Sequence, residues 1–111
     1  MSLYSMYIQE RTNDEIIETD KGFCTYRFLD EKTVYIVDIF VLSDFRTTGE
    51  ASNMADSVVE LAVAKGCSEL IGSVVPSCKN SAASMKVLLA YGMAPKSASN
   101  DFVIFSKRIG A

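Results

Sequence analysis

An α+β fold built on a mixed sheet is predicted from three observations. Val34-Tyr35-Ile36-Val37-Asp38-Ile39-Phe40-Val41-Leu42 is a run of β-branched and aromatic residues that suit a pleated, buried surface. Next, Ala51, Met54, Ala55, Val58, Leu61 and Ala62 recur at helical spacing, with Glu50, Asn53, Asp56, Ser57 and Glu60 on the other side. A second strand segment, Glu69 to Val75, follows that helix, and a strand, helix, strand unit makes its two strands parallel neighbours through a crossover.

Before this unit the chain reads as antiparallel strands. Tyr4 to Glu10 alternates in character and is expected to form a first strand, with Thr12-Asn13-Asp14 as a turn or the start of a short helix. Ile16 to Thr19 and Phe23 to Leu29 are strands joined by the hairpin signal Asp20-Lys21-Gly22. Asp30-Glu31-Lys32 then turns the chain into the strand Thr33 to Leu42, for four antiparallel strands in all. The helix runs from about Thr48 to Lys65 and stops at Gly66, a residue suited to a left-handed cap. Ser81 caps a second helix, Gly92 closes it, Pro95 to Asn100 reads as a polar loop and Asp101 to Lys107 as a final strand.

With 111 residues the chain can bury one core, so a single domain over 1–111 is expected, with Met1-Ser2-Leu3 resembling a cloning remnant. No apolar run approaches the roughly 20 residues needed to span a bilayer, and Met1 to Glu10 has no basic start and no long apolar middle. The expectation is a cytoplasmic protein with no membrane partner. A formal charge of −3 without a Lys/Arg stripe argues against nucleic acid and suits a cationic acceptor.

There is no His, so zinc sets and the usual Ser or Cys triads are missing, and no metal is expected. Cys24, Cys67 and Cys78 form no CxxC pair and read as free thiols in packing roles, with a reactive thiol at Cys78 as the alternative. Chemistry must fall to carboxylates, Tyr, thiols, backbone or water.

The turn from Arg46 through Thr47, Thr48, Gly49 and Glu50 to Ala51 joins the strand to the helix. The first N–H groups of a helix have no intrahelical partner and carry the positive end of its dipole, so a turn made slim by Gly49 and Ala51 can bring a phosphate against them. The alternative is a tight strand-to-helix turn and nothing more.

The segment Val41 to Ala51 resembles the acetyl-CoA signature of GCN5-related N-acetyltransferases (GNAT), in which Gln or Arg is followed by two residues, Gly, one residue, and Gly or Ala. Ser81-Ala82-Ala83-Ser84-Met85-Lys86-Val87-Leu88-Leu89-Ala90-Tyr91-Gly92-Met93 is similar to the family's other recognisable helix. Their order and spacing over Tyr35 to Met93 are more specific than either block alone. The resemblance implies an acyl-CoA N-acyltransferase-like fold, here with a reduced N-terminal region, and transfer of an acetyl group from acetyl-CoA to a primary amine of a small molecule or a protein. It places backbone groups of Ile39, Phe40 and Val41 on the pantetheine arm and the turn from Arg46 to Ala51 on the phosphates. Asn80 and Ser81 fall where the family's helix opens and either bind the pantetheine or cap the helix. The family's acid Tyr aligns with Leu88, and Tyr91 is expected to pack.

Asp38 is the candidate base. On a regular strand it shares a face with Ile36 and Phe40, where apolar neighbours would raise its pKa, and family members often use a carboxylate on this strand. The alternative is a bulge or the solvated side, with no chemical role. Glu31 and Glu10 are further acidic candidates, expected to be solvated. The short arm before Phe23 leaves the acceptor side open, completed by another subunit or absent, so a non-catalytic CoA-binding or protein-interaction domain is the rival expectation. That open side and the apolar segment Phe102 to Phe105 also suggest a homodimer.

Overall fold

The structure, a computed structural model, describes residues 2–46, 49–79 and 81–110. In chain order it comprises α1 (Leu3–Arg11), β1 (Glu15–Glu18), β2 (Gly22–Phe28), β3 (Thr33–Val41), a short 3-10 turn at Ser43–Phe45, α2 (Glu50–Ala64), β4 (Glu69–Val74), α3 (Ser81–Ala90), β5 (Ala94–Ser99) and β6 (Phe102–Arg108). The six strands form one sheet in the order β1-β2-β3-β4-β6-β5. Only the β3–β4 pair is parallel, the two strands being linked through α2.

The sheet has two unlike faces. Cys24, Val34, Leu70 and Phe105 project to one face and are fully buried with Met54 and Val58 of α2. Leu88 of α3 lies over β4 at Gly72, where a Cβ would meet a Leu88 methyl at 3.2 Å. On the other face α1 rests on β1, with the Tyr4 and Phe23 rings 4.8 Å apart.

Helix α1 replaces the first strand expected over Tyr4 to Glu10, leaving three antiparallel strands before α2. Ser2 sits at the N-cap, its Oγ accepting from the Ser5 N–H at 3.0 Å, and Thr12 stops the helix by bonding back to the Ile8 carbonyl. Leu3, Met6, Gln9, Glu10 and Arg11 are good helix formers and Ile8 is the one β-branched residue, so a capped helix outweighs a weak alternation.

The polar loop expected over Pro95 to Asn100 is strand β5. Asn100, at φ 51°, makes the turn that folds β5 onto β6, and Pro95 lies on the sheet edge beside a shift in register. All six β5 residues are exposed, so no apolar alternation marks the strand.

Ser81 is the first residue of α3 and its hydroxyl donates to the Pro76 carbonyl at 2.7 Å, anchoring the preceding loop rather than capping the helix. Gly66 and Gly92 take the left-handed conformation at the ends of α2 and α3, as expected.

Candidate active site

Strands β3 and β4 pair at three positions only, Thr33 with Glu69, Val34 with Leu70 and Tyr35 with Ile71. Beyond Tyr35, β3 stays on β2 as far as the Val41–Gly22 pair, and β4 stays on β6 through Val74–Val103. The sheet therefore divides into two leaves, and among the described residues the backbone of Ile36–Val41 has no ladder partner on its β4 side. An unpaired strand edge of this kind is a ready acceptor for an extended, amide-bearing ligand.

A bulge accounts for the divergence. Thr25 pairs with Asp38 and Tyr26 with Ile36, so Val37 is an extra residue on β3, which bends the strand. At the far end Gly22 holds β3 close, since a Cβ there would strike the Phe40 carbonyl oxygen.

The bulge also reverses part of the expected environment of Asp38. Paired Cα partners share a face, so Ile36 goes with Tyr26 to the helix-covered side and Asp38 goes with Thr25 to the other. Asp38 shares its face with Phe40 and not with Ile36, and it is exposed. Of the two apolar flanks expected on a regular strand, Ile36 is lost and Phe40 remains. The buried Cys24 thiol is pushed up to about 12, by burial first and then by the nearby Asp38 charge, which leaves it an inert packing group.

Beside the open end of the split stands the N-terminus of α2. Gly49 is its N-cap at φ 85°, a residue with no side chain to cap the first-turn amides, and open space lies where a Cβ would be. Thr47 and Thr48 lie outside the described residues. The Glu50 carboxylate is drawn toward Thr19, which donates to it at 3.2 Å. Arg46 folds back instead of reaching outward. Its Nε donates to the Val41 carbonyl at 2.9 Å, and its guanidinium lies 5.7 Å from the centre of the Phe40 ring.

Ile39 and Ala51 line a narrow apolar crevice of about 30 Å³ with Ile36, Leu88, Tyr91 and Met93. Leu88 occupies this wall, and Tyr91 is tied down as a packing residue. Its hydroxyl donates to Asp56 Oδ1 at 2.6 Å, and its ring carries the Lys107 ammonium at 4.5 Å. Burial and the Asp56 carboxylate hold its pKa well above the ordinary tyrosine value. Val41 is buried, Phe40 is 42% exposed, Ser81 is placed as described above, and Asn80 lies outside the described residues.

A larger hollow of about 370 Å³ lies at the opposite end of α2, between Phe28, Asp30, Glu31, Lys65 and Cys67. It is an open trough, remote from the split and from the α2 N-terminus.

Sequence reasoning missed Tyr35 and Ser73, whose hydroxyls meet at 2.6 Å across the foot of the split. Alternation along β3 places Tyr35 opposite Val34, but nothing in the sequence pairs it with Ser73. Among the described residues no group of His, Cys, Asp and Glu has the arrangement of a metal site.

The acetyltransferase (GNAT) family model matches residues 7–86, a span that includes the bulged strand, the α2 N-terminus and the start of α3. The chain belongs to the GNAT acetyltransferase family.

Acetyl-CoA-dependent acetyl transfer is the chemistry of that family. The GNAT fold extends over nearly the whole chain in the structural comparisons. A GNAT-family protein from Desulfovibrio desulfuricans superposes with a TM-score of 0.78 at 15% identity, covering 95% of this chain and 76% of its own. A GNAT acetyltransferase from Elizabethkingia anophelis, solved with acetyl-CoA bound, gives 0.73 at 15% identity, over 97% and 84% of the two chains. The PaiA N-acetyltransferase from Thermoplasma acidophilum, solved with coenzyme A, gives 0.75 at 10% identity, over 93% and 65%. No curated protein matches by sequence.

Proposed function

We propose that this GNAT protein transfers an acetyl group from acetyl-CoA directly to a primary amine. The observation that carries the reading is the early end of β3–β4 pairing beside a helix N-terminus whose N-cap is a glycine. The pantetheine arm, which carries two amides, lies along Ile39, Phe40 and Val41 as a substitute for the missing strand, and the phosphates meet the α2 amides of the turn from Arg46 to Ala51. Binding both reactants in this slot makes the encounter effectively intramolecular.

Asp38 is the proposed base. Its exposed carboxylate, on the face opposite α2 and α3, takes the amine proton directly or through a water. The neutral nitrogen then attacks the thioester carbonyl, the carbon–sulfur bond breaks, and the proton that the nitrogen sheds on becoming an amide passes through water to the departing thiolate, since Leu88 stands where a Tyr acid would.

Leu88 and the open face beyond α1 favour a second reading, a domain that binds CoA without turnover. One experiment separates them. Acetyl-CoA is supplied with a panel of amines and CoA release is followed. The enzyme reading predicts amine-dependent release, and binding without release from any amine supports the second reading.

A further inference from the structure

The two faces of the split differ in what they can admit. On the α2 and α3 side the crevice beside Ile36 and Ile39 has room for about one water, at about 30 Å³. On the α1 side Phe40 is 42% exposed and Tyr4 41%, and Asp38 is exposed on the same face as Phe40. The rings form a continuous row, with Tyr4 4.8 Å from Phe23 and Phe23 stacked at 5.6 Å on Phe40. A cation already rests there. The Arg46 guanidinium lies over Phe40, held by the Val41 carbonyl.

Aromatic faces beside a carboxylate are the chemistry that recognises organic cations. We propose that this row, Tyr4, Phe23 and Phe40 with Asp38, is the acceptor surface and that it selects amines bearing a second, permanent positive charge. The inference rests on the acetyltransfer reading and adds the substrate class to it. The charged end of the acceptor lies on Phe40 and its free amine reaches the split near Asp38. Arg46 occupies that ring face in the ligand-free protein as an internal stand-in, and it vacates the ring when it turns to a CoA phosphate. The net charge of −3 assists the approach of such a substrate.

The test compares 4-aminobutylguanidine, a primary amine with a guanidinium, with n-hexylamine, which has the same reacting end and an apolar tail. Each is assayed for acetyl transfer and, separately, titrated by calorimetry into protein saturated with CoA. Wild type is expected to favour the guanidine by about 10-fold or more in both measurements, and Phe40→Leu should bring the ratio toward one. Phe23→Leu, which removes the ring beneath Phe40, should reduce it as well. Equal binding and equal rates for the two amines in wild type would overturn the proposal without any variant. Preferential binding of the guanidine with no transfer to either amine would uphold the surface and defeat the transfer reading. Transfer to both at equal efficiency would do the reverse.

Discussion

Asp38 shows how much a single extra residue in a strand can change. Alternation alone places it between Ile36 and Phe40, but the bulge at Val37 turns it away from Ile36 and leaves it exposed on the face opposite α2 and α3. No residue type in Val34 to Leu42 announces that bulge, because it arises from how β3 must bend between β2 and β4. Asp38→Asn is expected to leave CoA affinity in calorimetry unchanged and to lower kcat/KM by roughly 10²-fold, the usual size of a general-base contribution. Equal rates in variant and wild type would make Asp38 structural. Tyr91 is the contrasting case. Its place before Gly92 marked it as a packing residue, and its hydroxyl is committed to Asp56. Tyr91→Phe should cost about 1 kcal/mol in denaturant unfolding, the net worth of one hydrogen bond, with acetyl transfer retained. A fall in kcat by orders of magnitude would contradict this.

At the scale of elements, the strands and helices with strong periodicity were legible in the sequence and the marginal ones were not. The β2–β3 hairpin, α2, β4, α3 and β6 lie where their patterns place them, whereas α1 and β5 are held by features a pattern search overlooks. For α1 these are the Ser2 cap and two hydroxyls on one carboxylate, with Ser5 Oγ donating to Glu18 Oε1 at 2.7 Å and Ser2 Oγ to Oε2 at 2.8 Å. Those two bonds, from Ser5 first and Ser2 second, pull the Glu18 pKa down. A carboxylate with a lowered folded-state pKa stabilises α1 docking above the ordinary Glu value of about 4.3 and loses that contribution as pH falls through the folded value. NMR shifts of Tyr4 and Phe23 should therefore report weaker docking of α1 on β1 as pH falls below the ordinary Glu range, and Glu18→Gln should remove the pH dependence. An α1 that stays docked at the same acidity in both proteins would refute this role of Glu18.

For the whole molecule, the sheet is a platform that β3 splits, and the glycine-capped N-terminus of α2 stands beside the opening. The strand-to-helix turn was legible because Gly49 and Ala51 stand at a fixed spacing from Arg46. The depth of the split was not, since strand register depends on partners far away in the chain. The same geometry gives the account its most direct test, because Gly49 has open space beside it and its left-handed φ is one that a large side chain strains to adopt. Acetyl-CoA titrated by calorimetry into wild type and into Gly49→Trp, with circular dichroism confirming that both are folded, decides the matter. The account predicts one site in wild type and none in the folded variant. Unchanged acetyl-CoA affinity in Gly49→Trp would contradict the placement of the phosphates at the start of α2.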